Sequence, residues 1–204
     1  MWAVDNYPGI GREATAVEVR VWDIDVRADF KGLPEGAGSV ARGRELYGAL
    51  CAACHGSAGE SNTFFVPLVG GTTTDDIRSG FVRALADPAN TQRTMFMRLP
   101  TLSTLFDYIY RAMPWDAPKS LKPNDLYAVV AFLLNLAEIV PEDFTLSHRN
   151  VADVQKLLPN RHGMTTDHGL WPGAAAPEGG IGNGGIPDLR AEPCMQNCRV
   201  ARDN

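Results

Sequence analysis

The sequence predicts a mainly α domain with long irregular extensions at both ends. Three observations carry that reading. Apolar residues recur every three or four positions in stretches near residues 40–50, 74–87, 102–112 and 123–137, the period of a helix face. The first of these runs into Cys51-Ala-Ala-Cys54-His55, a pattern that helical chemistry explains. The 20 Gly and 14 Pro of the 204 residues are unevenly spread and point to irregular segments. The expected division is an N-terminal extension (1–38), a central domain (39–140) and an irregular, partner-wrapping C-terminal tail (141–204).

Hydrophobic content of 45% allows a real core. The formal charge of −5 argues against nucleic acid or an acidic membrane surface as partner. The longest apolar run, Leu126 to Val140, contains Asn135 and Glu138 and is too short to span a bilayer. Met1-Trp2-Ala3 opens with neither a basic nor an apolar leader region, so a secretory leader is expected to be missing from this chain.

In the first extension Val17, Val19 and Val21 alternate with Glu18 and Arg20, the period of a half-buried strand. The alternation slips at Trp22-Asp23 and resumes at Ile24 and Val26. One short strand makes no sheet alone, so this segment should lie on the domain or on a partner. Ser39 is a candidate N-cap for the next helix. Val40, Gly43, Tyr47 and Leu50 share a face there. Glycine inside a helix is costly, and close approach of a second helix would explain Gly43.

The pattern C-x-x-C-H reads as a covalent haem attachment site. Residues three apart lie on one side of a helical turn, so Cys51 and Cys54 can both form thioethers to one porphyrin. His55 then follows in position to ligate the iron. Two rival readings stand beside this one. A thioredoxin-like dithiol needs a βαβ setting, and here a helix ending at Gly56 surrounds the pair. A four-thiolate zinc site of Cys51, Cys54, Cys194 and Cys198 leaves His55 idle and joins segments about 140 residues apart.

Asp75 and Asp76 suit the first turn of a helix over 74–87, with Ile77, Phe81 and Leu85 on one face. Leu102, Leu105, Phe106, Ile109 and Tyr110 mark the apolar side of the next, which Thr101 or Ser103 could cap. Met113-Pro114 follows. Proline restricts its predecessor to extended geometry, which can turn the Met113 thioether toward a ring face. Met95 and Met97 are the rival thioethers; His148, His162 and His168 are lower-potential alternatives beyond the domain. A Met before Pro, between a helix and a final amphipathic helix, is where small cytochromes c present their distal ligand. The central domain is therefore expected to be a small cytochrome c domain with one haem c.

The last strong helix, 123–137, has Pro123 at N1 and Asp125 in its first turn. Leu126, Val129, Val130, Leu133 and Leu136 form a stripe that should pack on Gly43 and Tyr47. From Pro141 the texture changes, and Ala174 to Pro187 is nearly all Gly, Ala and Pro. Arg199 stands where a second C-x-x-C-H would need histidine, so Cys194 and Cys198 read as a local disulfide in an oxidising compartment. Such usage fits the periplasm.

Several segments together resemble a known family. They are Trp22-Asp23-Ile24-Asp25-Val26-Arg27, Gly32-Leu33-Pro34, Leu105-Phe106-Asp107-Tyr108-Ile109 and Arg111-Ala112-Met113-Pro114. Asp116 to Leu121, Pro141-Glu142-Asp143, Pro159-Asn160-Arg161 and the closing Pro-Cys-Met-x-Asn-Cys extend the likeness. The chain is similar to SoxD, the c-type cytochrome subunit of sulfane dehydrogenase in the bacterial sulfur-oxidising (Sox) system. Members often carry a second haem domain, and the resemblance is to the first-haem portion. Met97-Arg98-Leu99 departs from the aromatics expected before Pro100.

The resemblance implies a class I cytochrome c-like fold with His55 and Met113 as axial ligands. It also implies a molybdenum-cofactor partner, SoxC, in a heterotetramer of two of each. That complex takes electrons from sulfane sulfur held on the carrier protein SoxYZ. The expected function is thus an electron-transfer subunit of an oxidoreductase complex, passing electrons to a soluble acceptor rather than catalysing alone. The alternatives are a cytochrome whose own haem oxidises a sulfur substrate such as thiosulfate, a cytochrome partner of another dehydrogenase, and a zinc-stapled interaction module.

Overall fold

The structure is a computed structural model and describes residues 11–62 and 64–163. Its elements in order are α1 (Ala16–Trp22), β1 (Ala37–Ser39), α2 (Val40–Leu50), α3 (Ala52–His55), α4 (Thr74–Ser79) and α5 (Met95–Arg98). They continue with α6 (Leu102–Ala112), α7 (Pro123–Leu136), β2 (Thr145–Ser147) and α8 (Val151–Gln155). The mainly α expectation holds.

Helix α7 is the centre. Every residue from Leu126 to Leu134 is buried, so the stripe read from the sequence is in fact a helix enclosed on nearly all sides. It begins without a side-chain cap, at Lys122, with Pro123 supplying the first helical φ. Helix α2 crosses it at the expected point. A Cβ on Gly43 would lie 1.8 Å from the Ala128 carbonyl oxygen, so only glycine lets the two backbones meet. Tyr47 packs on Phe132 at 5.2 Å between ring centroids, and Phe106 of α6 meets Tyr127 edge-on at 4.9 Å. Ser39 caps α2 by accepting from the Arg42 N–H at 3.2 Å.

Three expectations change. The Val17–Val21 stretch is helix α1, not a strand. Thr15 and Glu18 form a capping box, and Arg12 grips Glu18 from outside. These local bonds outweigh the alternation because no neighbouring strand among the described residues pairs with it. None of α1 is buried, and Val17, Val21 and Trp22 stand exposed. The 74–87 helix ends early, at Gly80 in the left-handed region (φ 78°), and only a 3₁₀ turn over Arg83–Leu85 follows.

The third change concerns the segment after Pro141, which carries a strand and a short helix where an irregular tail was expected. Strand β2 pairs antiparallel with β1, Leu146 opposite Gly38. Leu146, Val151, Val154 and Leu158 are buried in the main core. Gln155 accepts from the Leu102 N–H (2.7 Å) and donates to the Pro100 carbonyl (2.9 Å), capping α6 where Thr101 does not. Arg161 donates to the carbonyls of Ile77 (2.6 Å) and Arg78 (3.0 Å) at the end of α4. A cation there suits the helix dipole. No helix among the described residues is long and apolar enough to cross a membrane.

Candidate haem site

The attachment turn is built where α2 stops. Cys51 is the C-cap of α2 and the residue before α3, and its N–H still donates to the Tyr47 carbonyl (2.9 Å). The His55 N–H donates back to the Cys51 carbonyl (2.9 Å), closing a turn that carries both thiols. Gly56, at φ 76°, ends α3.

The carbonyls leaving this turn are each engaged. Cys54 O accepts from Asn62 Nδ2 (3.0 Å), His55 O from the Ser61 N–H (2.7 Å) and Gly56 O from the Tyr47 hydroxyl (2.9 Å). Tyr47 is buried at the α2–α7 crossing, so the turn is tied to the core. Burial first, and then the neighbouring Cys51 and Glu60, push its hydroxyl up to about 12.

Cys51 is half-buried and Cys54 exposed. Burial, with a smaller effect from Cys54, pushes the Cys51 thiol up to about 11. Among the described residues no group of three or more His, Cys, Asp or Glu could hold a metal ion. His55 is partly buried, and burial lowers its pKa. Its Nδ1 is enclosed with no hydrogen-bond partner among the described residues. Phe65 packs against the imidazole at 5.5 Å, and Trp115 meets Phe65 edge-on at 6.1 Å.

Met113, the distal candidate, stands two residues before Trp115. Met113 caps α6 in the extended conformation (φ −119°, ψ 146°) before a cis Pro114 and is partly buried against the core. Of its rivals, Met97 is wholly buried, its sulfur packed where a Cβ on Gly71 would be, and Met95 sits partly buried at the start of α5. His148 is engaged with Gly36 beside the β1–β2 pair, and His162 stacks on Phe81 at 5.6 Å. His168, Cys194 and Cys198 lie outside the described residues.

These residues fit a covalently held haem. Two thiols share one turn with an imidazole, and apolar Leu50, Phe64, Val66 and Trp115 stand exposed around them, Phe64 at 90% and Trp115 at 73%. A porphyrin is a large apolar disc that such surface would cover. Sequence reasoning missed Asn62 and Phe65, whose roles come from contacts across a loop rather than from a pattern.

Comparison with known proteins agrees with this geometry. The family model for cytochrome c oxidase, cbb3-type, subunit III matches residues 38–133, from β1 to within α7. Comparison with curated proteins finds no significant match. Among solved structures, the chain is similar to one in the crystal structure of the sulfane dehydrogenase SoxCD from Paracoccus pantotrophus. The two are 34% identical, with a TM-score of 0.66, over 97% of this chain and 85% of that one. The class I cytochrome c architecture around a C-x-x-C-H turn identifies which kind of subunit is matched, and the chain belongs to the SoxD family of c-type cytochromes.

Proposed function

We propose that this chain is the electron-transfer cytochrome of a periplasmic sulfane dehydrogenase. In this reading it takes electrons from a SoxC-like molybdenum-cofactor subunit, in a heterotetramer of two of each, and hands them to a soluble acceptor. The observation that carries it is the likeness to a SoxCD chain across 97% of this chain, attachment turn included.

A haem c, when bound, supplies reversible one-electron exchange between ferric and ferrous iron. Cys51 and Cys54 would hold one such group by thioethers, and His55 and Met113 would ligate its iron. A His/Met pair raises the reduction potential. Tyr47 holds the turn against the core, while Phe65 keeps water from the imidazole. The substrate chemistry belongs to the partner, and a two-electron oxidation there calls on this chain twice. The proposal extends to SoxYZ as the carrier of the sulfur, to a Cys194–Cys198 disulfide, and to residues 164–204 as partner-facing chain.

The test is mass spectrometry and visible spectroscopy of the protein purified from a periplasmic expression system. The expected result is the mass increment of one haem, the sharp bands of a reduced cytochrome, and co-purification with a molybdenum protein when the neighbouring subunit is present. A colourless chain at its bare polypeptide mass refutes the haem. A coloured chain that never captures a molybdenum subunit, and is not oxidised and reduced by it, refutes the partnership.

A further inference from the structure

Asn62 spends its whole side chain joining the attachment turn to the Phe65 loop. Its Nδ2 donates to the Cys54 carbonyl at 3.0 Å, one residue before the imidazole. Its Oδ1 accepts from the Phe64 N–H at 2.8 Å and the Phe65 N–H at 3.2 Å. Phe65, held in this way, lies against His55 on one side and Trp115 on the other, so it bridges the segments bearing both axial candidates. The imidazole has no hydrogen bond at Nδ1 among the described residues. Its rotation about the Cβ–Cγ bond is a broad, soft torsion, and packing by Phe65 is the restraint the structure supplies.

We infer that Asn62 is a positioning residue that sets the orientation and the dryness of the His55 imidazole through Phe65. The inference rests on the haem reading above. Partners around a ligating His fix its ring and tune the site, and the apolar shell controls solvent access and so the reduction potential. Removing the Asn62 bonds frees the Phe65 backbone, lets the phenyl ring swing out toward solvent, and admits water beside His55. Water favours the more highly charged oxidised state, so the potential falls.

The experiment uses the haem-loaded full chain, with the parent's attached-haem mass checked first. Asn62→Ala, Asn62→Ser, Phe65→Ala and the double Asn62→Ala/Phe65→Ala are compared by midpoint potential and by the g-values of the ferric EPR spectrum. Expected are a lower potential and altered g-values in Asn62→Ala, and substantial recovery in Asn62→Ser, whose hydroxyl can accept from the same two N–H groups. The double variant should match Phe65→Ala alone, because the two residues act in series. A parent-like potential and EPR spectrum in Asn62→Ala, or additive shifts in the double, overturns the inference, as does a loss of melting temperature without any spectroscopic change. If Asn62→Ala does not accumulate, the same comparison is made with Asn62→Ser and Phe65→Leu. Absence of haem in the parent overturns the functional reading instead, and is visible before any variant is measured.

Discussion

Replacing Gly43 by alanine sets two elementary effects against each other, and the structure says which wins. In an exposed helix the change stabilises by about 1 kcal/mol through backbone entropy and propensity. At the α2–α7 crossing the new Cβ would lie 1.8 Å from the Ala128 oxygen, 2.6 Å from its carbonyl carbon and 2.8 Å from Phe132 Cβ. An ordinary C···O contact is about 3.3 Å, so the helices must part by about 1.5 Å. The obstacle is backbone and has no rotamer to escape into. A gap of even 0.5–1 Å forfeits about a quarter to a half of each dispersion contact, and overpacking costs about 1–3 kcal/mol or more. A backbone obstacle puts the cost at the upper end, about 3 kcal/mol, and the propensity gain of about 1 kcal/mol leaves a net loss of about 2 kcal/mol.

Gly48, on the same helix, has nothing within 4 Å of its would-be Cβ. Gly48→Ala therefore keeps only the favourable effect, up to about 1 kcal/mol. Urea unfolding of the holoprotein followed by far-UV circular dichroism reads both. With a slope of about 2 kcal/mol/M, the midpoint should drop by about 1 M in Gly43→Ala and rise by up to about 0.5 M in Gly48→Ala. A Gly43→Ala midpoint at or above the parent's would refute the close-crossing argument.

Met113→Ala should lower the midpoint potential and let carbon monoxide bind the reduced protein, whereas Met97→Leu, a volume-conserving core swap, should change neither; an unchanged redox spectrum in Met113→Ala sinks the distal assignment. Burial raises the pKa of Asp107, but hydrogen bonds from Arg111 and the Val26 N–H outweigh it and hold the carboxyl below its ordinary value. Its folded pKa being depressed, this stabilisation is complete above the ordinary carboxylate range and is lost as pH falls through the folded value. The melting-temperature gap between parent and Asp107→Asn should thus be widest near neutrality and close in acid, and a gap independent of pH counts against it. Arg161→Ala should cost about 1–2 kcal/mol in urea unfolding by freeing the α4 carbonyls; a loss within error means that water replaces the guanidinium there.

What was legible in the sequence is what depends on spacing along the chain. The C-x-x-C-H turn, the helix at 102–112, the Ser39 cap and Gly43 as a crossing point all follow from local geometry, because each constraint is met within a turn or two. Val17–Val21 misled because alternation describes only which residues could share a face. The Thr15–Glu18 box and the Arg12 bridge decide the backbone, and they make a helix whose valines stay in solvent. The site divides in the same way. Its candidate attachment and ligand residues stand in short motifs, while Asn62 and Phe65 make contacts through a carbonyl and a ring that no spacing rule connects.

The segment after Pro141 shows why composition was a poor guide there. Prolines and turn residues do break the chain up, but they break it into pieces that complete other elements. Gln155 gives α6 the cap that Thr101 withholds, Arg161 finishes α4 after Gly80 has ended it, and β2 gives β1 its only partner strand among the described residues. A helix end or a strand edge is costly when left unsatisfied, so α4, α6 and β1 each have a deficit that this strap fills. Neither deficit shows in the sequence: Thr101 and Ser103 offer the Leu102 helix candidate caps, and Ala37-Gly38-Ser39 has no β-branched or aromatic residue to mark a strand. The same logic applies to α1, whose valines and Trp22 stand uncovered among the described residues.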